Sequence, residues 1–141
     1  MDSASSKIFK INVYGATSEN ERNSSVGVVI RDVASNVHVA CCKYLQGQYS
    51  VEEVEALAME CGLILAKEQK LSHIILEFDA LTAVTSVTAA ETNGCLGYVY
   101  QGIRSLFSSF SSWNIKHVKR DYNMAAHELA QYVRQKEESH V

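Results

Sequence analysis

Two carboxylates fall where they could act together on a divalent ion. Glu55 lies inside a helical segment from Val51 to Gln69, and Asp79 closes a strand-like run from Ile74 to Asp79. Acids so placed suit two-metal phosphodiester hydrolysis, in which ions about 3.5 to 4 Å apart activate the attacking oxygen and steady the leaving one. Such a site needs a third acid at the end of the first strand, and there the chain reads Ile11-Asn12-Val13-Tyr14-Gly15-Ala16. Magnesium takes oxygen ligands at about 2.0 to 2.1 Å, and a carboxylate shared by two ions offsets their mutual repulsion. Tyrosine, with an unperturbed pKa of about 10, is neutral at pH 7 and offers one weakly basic oxygen at the end of a bulky ring. The expectation is a single, weakly held magnesium or manganese ion on Glu55 and Asp79, with hydrolysis abolished or severely reduced.

The elements that must position these residues can be read from periodicity. Lys7 to Tyr14 alternates, with Phe9, Ile11 and Val13 on one face, and predicts a half-buried strand ending at Gly15. A polar loop from Thr17 to Ser25 follows. Val26, Val28 and Ile30, then Val37, Val39 and Cys41 beyond the Ala34-Ser35-Asn36 turn, predict two more strands in an antiparallel meander. Ser50 and Glu53 form a capping box, after which Val51, Val54, Leu57, Ala58, Cys61, Ile64 and Leu65 keep a helical period. Ile74, Ile75, Leu76 and Phe78 show no polar face and predict a central strand. A short helix over Ala80 to Ala90 breaks at Asn93-Gly94, and a second carries Leu96, Val99, Ile103, Leu106, Phe107 and Phe110. Trp113 to Lys119 predicts a fifth strand, and Asn123 caps a last helix with Ala126, Leu129, Ala130 and Val133 inward.

Composition bounds the partners. At 141 residues and 47% apolar content, the chain is expected to form one domain over 1–141, with a core of about 7–134 and frayed ends. No apolar run reaches the roughly 18 to 20 residues that span a bilayer, and the start lacks the order of a secretory signal, so an intracellular protein, cytoplasmic or nuclear, without membrane contact is expected. Cys41, Cys42, Cys61 and Cys95 form no C-x-x-C pair, which argues against zinc and disulfides and for reduced thiols in or near the core. A net charge of −3 is a poor footprint for tight nonspecific nucleic-acid binding, so any such binding is local or weak.

I-N-V-Y-G-A near the start, G-V-V-I-R-D at 27–32, V-E-A-L-A at 54–58, L-E-F-D-A at 76–80 and R-D-Y-N-M-A-A-H-E-L-A at 120–130 occur in order, each on its expected element. Together they resemble the ribonuclease H-like superfamily, in its plant reverse-transcriptase-like branch of domesticated retroelement ribonuclease H domains. The resemblance covers nearly the whole chain. It implies an α/β fold with a mixed five-stranded sheet, order 3-2-1-4-5, strands 1 to 3 antiparallel, flanked by helices. It also implies hydrolysis of the RNA strand of an RNA–DNA hybrid with magnesium held by four acids. Carried over by position, the acids fall on Tyr14, Glu55, Asp79 and His127, so two of the four are altered. His127 is the milder departure, because histidine resembles the plant branch's usual choice there. Tyr14 is the serious one, since the family's aspartate is shared by both metals.

Other readings of the same residues stay open. Asp79 could simply cap the helix after it, and Glu77 could replace the missing acid, although a solvated strand residue is the simpler reading. His127 suits hydrogen bonding better than magnesium ligation. Asn12, Lys119, Arg120 and Asn123 are candidates for nucleic-acid contact; Arg120 and Asn123 match the family's R-x-x-N signature and could equally fix the strand-to-helix corner. Lys116, His117, Lys119 and Arg120 make a small basic cluster. Ser105, Ser108, Ser109, Ser111 and Ser112 lie where some relatives carry a basic substrate grip, which is therefore expected to be missing. Three functions remain: a nucleic-acid-binding domain with a disabled site, binding RNA–DNA hybrid or structured nucleic acid; a working metal-dependent hybrid ribonuclease; and an adaptor for a protein partner.

Overall fold

The structure, a computed structural model, describes residues 7–17, 23–89, 96–120 and 124. Three long antiparallel strands lead: β1 (Ile8–Thr17), β2 (Asn23–Asp32) and β3 (Val37–Gln46). Helix α1 (Val51–Glu68) follows, then β4 (His73–Phe78), α2 (Leu81–Thr88), α3 (Gly97–Phe107) and β5 (Ser112–His117). β4 pairs with β1 and β5, parallel to both, and the sheet runs β3-β2-β1-β4-β5, the mixed order implied by the sequence. Among the described residues no helix is long and apolar enough to cross a membrane.

The capping box at the start of α1 forms as expected. The Glu53 amide donates to Ser50 Oγ at 3.1 Å, and the Ser50 amide to Glu53 Oε1 at 2.9 Å. Two otherwise orphaned donors of the first turn are thereby satisfied.

The face that α1 buries overlaps the periodic stripe at Val54, Ala58 and Leu65 but is rotated from it. Val51 and Ile64 are 50% and 41% exposed, whereas Val54, Ala58, Met59, Leu63 and Ala66 are almost fully buried. Gly62 sets this rotation. A Cβ there would lie 2.5 Å from Val13 Cγ1 and 3.1 Å from Ile11 Cγ2, so the absent side chain lets α1 settle directly onto β1. Ile11, Val13, Ile30, Leu76 and Phe78 complete the core beneath the helix, and each large side chain so buried stabilises the fold by about 1.5–3 kcal/mol.

Several boundaries move. β1 runs through Gly15 to Thr17, because β2 keeps pairing with it as far as Thr17↔Ser24. β5 ends at His117, short of Lys119. Cys41, Cys42 and Cys61 are free thiols, and burial pushes the Cys61 thiol up to about 11. Cys95, the Asn93-Gly94 break and the last helix with its Asn123 cap lie outside the described residues.

Candidate active site cleft

Three parallel strands deliver their carboxyl ends to one place, the usual location of ligand sites in open α/β sheets. Tyr14 lies near the end of β1, Asp79 directly follows β4, and Arg120 lies three residues past β5. With Glu55 from the second turn of α1 they line a cleft of about 320 Å³, together with Gly15, Thr17, Val51 and Phe78.

Glu55 reaches this cleft because α1 presses on β1 at Gly15. A Cβ on Gly15 would stand 2.6 Å from Val54 Cγ1 and 3.2 Å from the Val54 carbonyl oxygen. Only glycine tolerates that approach, and it sets the residue after Val54 beside the residue before Gly15. Burial raises the Glu55 carboxyl above its usual range, and the nearby Asp79 and Glu52 charges add to the shift. Among the described residues the Glu55 side chain has neither a hydrogen bond nor an ion pair.

Asp79 does not cap α2. The N-cap is Ala80, with no side-chain cap bond. Asp79 is placed instead by β5: the Val118 amide donates to the Phe78 carbonyl at 2.9 Å, and His117 Nε2 lies 3.2 Å from the Asp79 carbonyl oxygen. A carbonyl only accepts, so Nε2 carries the proton in that contact. His117 is therefore a positioning contact, a role that its membership of a basic cluster did not reveal.

Tyr14 meets Arg120. Arg120 Nη2 donates to Tyr14 Oη at 2.7 Å, and the guanidinium carbon lies 5.4 Å from the ring centroid, within reach of a cation–π attraction. Burial pushes the phenol above its usual range; Arg120 opposes this, while Asp79 and Glu55 reinforce it. At neutral pH Tyr14 is an uncharged hydroxyl.

Asn12 and Glu77 are not where the sequence reading put them. Asn12 is 2% exposed and Glu77 8% exposed. They occupy one paired position of the β1/β4 register, and Asn12 Nδ2 donates to Glu77 Oε1 at 3.0 Å. Arg31 on β2 closes the network, donating from Nε to Asn12 Oδ1 at 3.0 Å and lying 3.7 Å from Glu77 Oε1 through Nη2. Asn12 is thus sequestered from any nucleic acid, and Glu77 is a buried, paired carboxylate instead of a solvated one or a substitute ligand. The signal in the sequence was a charge inside the otherwise apolar stretches Val28–Arg31 and Ile74–Phe78. Lys116, Lys119 and Arg120 are exposed. His127 and Asn123 lie outside the described residues, among which no cluster of three or more histidine, cysteine or acidic residues could hold a metal.

This sheet order, with three carboxyl ends meeting over a helix that supplies an acid, defines the ribonuclease H-like fold. The N-terminal ribonuclease H domain of Rv2228c from Mycobacterium tuberculosis, solved as a fusion with maltose-binding protein, superposes with a TM-score of 0.84 at 19% identity, covering 92% of this chain and 95% of that one. Ribonuclease H1 from Halobacterium salinarum gives 0.82 at 22% identity, covering 92% and 98%. LC11-RNase H1, solved in complex with an RNA/DNA hybrid, gives 0.78 at 19% identity, covering 92% and 97%. No curated protein sequence matches. The profile of the reverse transcriptase-like family matches residues 12–133, and the chain belongs to that family.

Proposed function

We propose that this chain is a single ribonuclease H-like domain that binds RNA–DNA hybrid or similarly structured nucleic acid through its carboxyl-end cleft, and that its hydrolytic activity is lost or strongly reduced. The fold of a neighbour solved with a hybrid supports the ligand class. The contact between Tyr14 and Arg120 carries the second part. A pair of magnesium ions needs a shared anionic oxygen at the end of β1, and the residue there is a neutral phenol whose oxygen accepts a bond from a cation. Glu55 and Asp79 are a fitting pair of oxygen donors for one hard cation, but these donors do not fit a two-ion centre. Lys119 and Arg120, exposed at the rim, are the proposed phosphate contacts.

The test is hybrid cleavage in magnesium and in manganese by the parent and by Tyr14→Asp, with hybrid binding followed in parallel across a salt series. Binding that weakens steeply with salt, without cleavage by the parent, is the expected result. Brisk magnesium-dependent cleavage by the parent, lost in Asp79→Asn, would replace this reading with that of a working nuclease.

A further inference from the structure

The cleft contains a positive charge of its own. Deepening the reading above and resting on its placement of the site, we infer that the Arg120 guanidinium, anchored by Tyr14, is the resident cation of the Glu55/Asp79 cleft and excludes divalent ions from it. Three observations converge on this. Arg120 is bonded to the phenol at 2.7 Å and its guanidinium carbon lies over the electron-rich ring, 5.4 Å from the centroid, so the group is fixed by two different attractions. Glu55, Asp79 and Arg120 line the same small cavity, and all three act electrostatically on the phenol between them. Glu55 is half-buried with no ion pair of its own among the described residues, and Asp79 adds a second negative charge beside it.

Two carboxylates facing one cavity favour a cation, and the chain supplies one from the segment just past β5. A planar guanidinium suits this place better than an ammonium would, because it donates from its edge while stacking through its face. Its presence changes the cost of metal entry. A divalent ion coordinating Glu55 and Asp79 would meet a fixed like charge at the wall, and the repulsion is twice that between two unit charges at the same distance. Tyr14 therefore acts twice: it removes the bridging ligand, and it holds the cation that discourages replacement.

The experiment is a titration of the full chain with terbium ions, a hard probe of magnesium and calcium sites whose emission is sensitised by a nearby tyrosine, checked by calorimetry with manganese. The parent is expected to show no saturable site, whereas Arg120→Gln gains one at least tenfold tighter. Adding Glu55→Gln or Asp79→Asn to Arg120→Gln should abolish the gain. Tyr14→Phe, which keeps the ring but removes the anchoring oxygen, should give a smaller gain by manganese calorimetry. Arg120 is exposed, so Arg120→Gln is expected to melt like the parent, and Arg120→Lys, which retains the charge, should remain closed to metal. Equal affinity in the parent and Arg120→Gln would overturn the inference, as would a gain that survives loss of the carboxylates. No nucleic acid enters this titration, so its outcome stands apart from that of the hybrid-binding assay.

Discussion

Two glutamates in this molecule leave bulk water under opposite conditions. Glu77, in the middle of the sheet, is almost fully buried and is met by the Asn12 amide and the Arg31 guanidinium across three neighbouring strands. Glu55, on α1 at the cleft, is half-buried and its side chain receives no hydrogen bond among the described residues, and its carboxyl is held above the usual range by burial and by Asp79. The first arrangement pairs charges to fix strand register. The second leaves a carboxylate partly buried beside a second acid, at a cost to the fold.

The largest effect should come from breaking the paired side. Arg31→Met leaves Glu77 buried with only an amide, and about 3 kcal/mol of stability should be lost in urea unfolding at pH 7. The double variant Arg31→Met/Glu77→Leu should recover most of that loss. A silent single variant would show that the network is looser than its 3.0 Å contacts indicate.

Next comes the contact that brings the Glu55 carboxylate to the strand. Gly15→Ala pushes a methyl into Val54 and should cost about 1–3 kcal/mol. Val54→Ala in the same chain should relieve part of it. Were Gly15→Ala neutral by thermal melting, α1 would be free to shift and Glu55 would not be held against Tyr14.

The smallest effect has the opposite sign. A carboxyl whose folded pKa is raised contributes stability that is complete below its unfolded value, near 4.5, and is lost as pH rises through the folded value. Glu55→Gln should therefore stabilise the protein at pH 7, by less than about 1 kcal/mol because the group is only partly buried and solvent screens it, and the gain should vanish by pH 4. A variant that melts earlier at pH 7 would mean that Glu55 is favourably paired in solution.

How far these features could be read from the chain depended on how local they are. The capping box spans three residues, and its two bonds are as expected. The antiparallel meander and the central β4 followed from alternation and from an apolar run interrupted only by Glu77. The inward face of α1 followed only in part, since apolar residues lie on both sides of the stripe and Gly62, where a side chain would meet β1, carries no hydrophobic signal of its own. Asp79 read from sequence as a cleft acid that could also cap the helix after it, and the capping position went to Ala80.

The long-range polar contacts were beyond such a reading. Asn12 and Glu77 are 65 residues apart, and Tyr14 and Arg120 are 106 apart. Asn12 read as a candidate nucleic-acid contact and Glu77 as a solvated acid, because alternation shows which residues share a face but not what covers that face.

The sequence by itself determined the order of elements, the α/β class and the presence of a phenol, Tyr14, near the end of β1, since these depend on residue types and on periods of two and 3.6. Tertiary structure alone decided that the phenol would be bonded to a guanidinium and that Glu77 would be paired while the Glu55 side chain meets no partner among the described residues. Those outcomes depend on distances between strands and helices, which packing around Gly15 and Gly62 sets and no local pattern encodes.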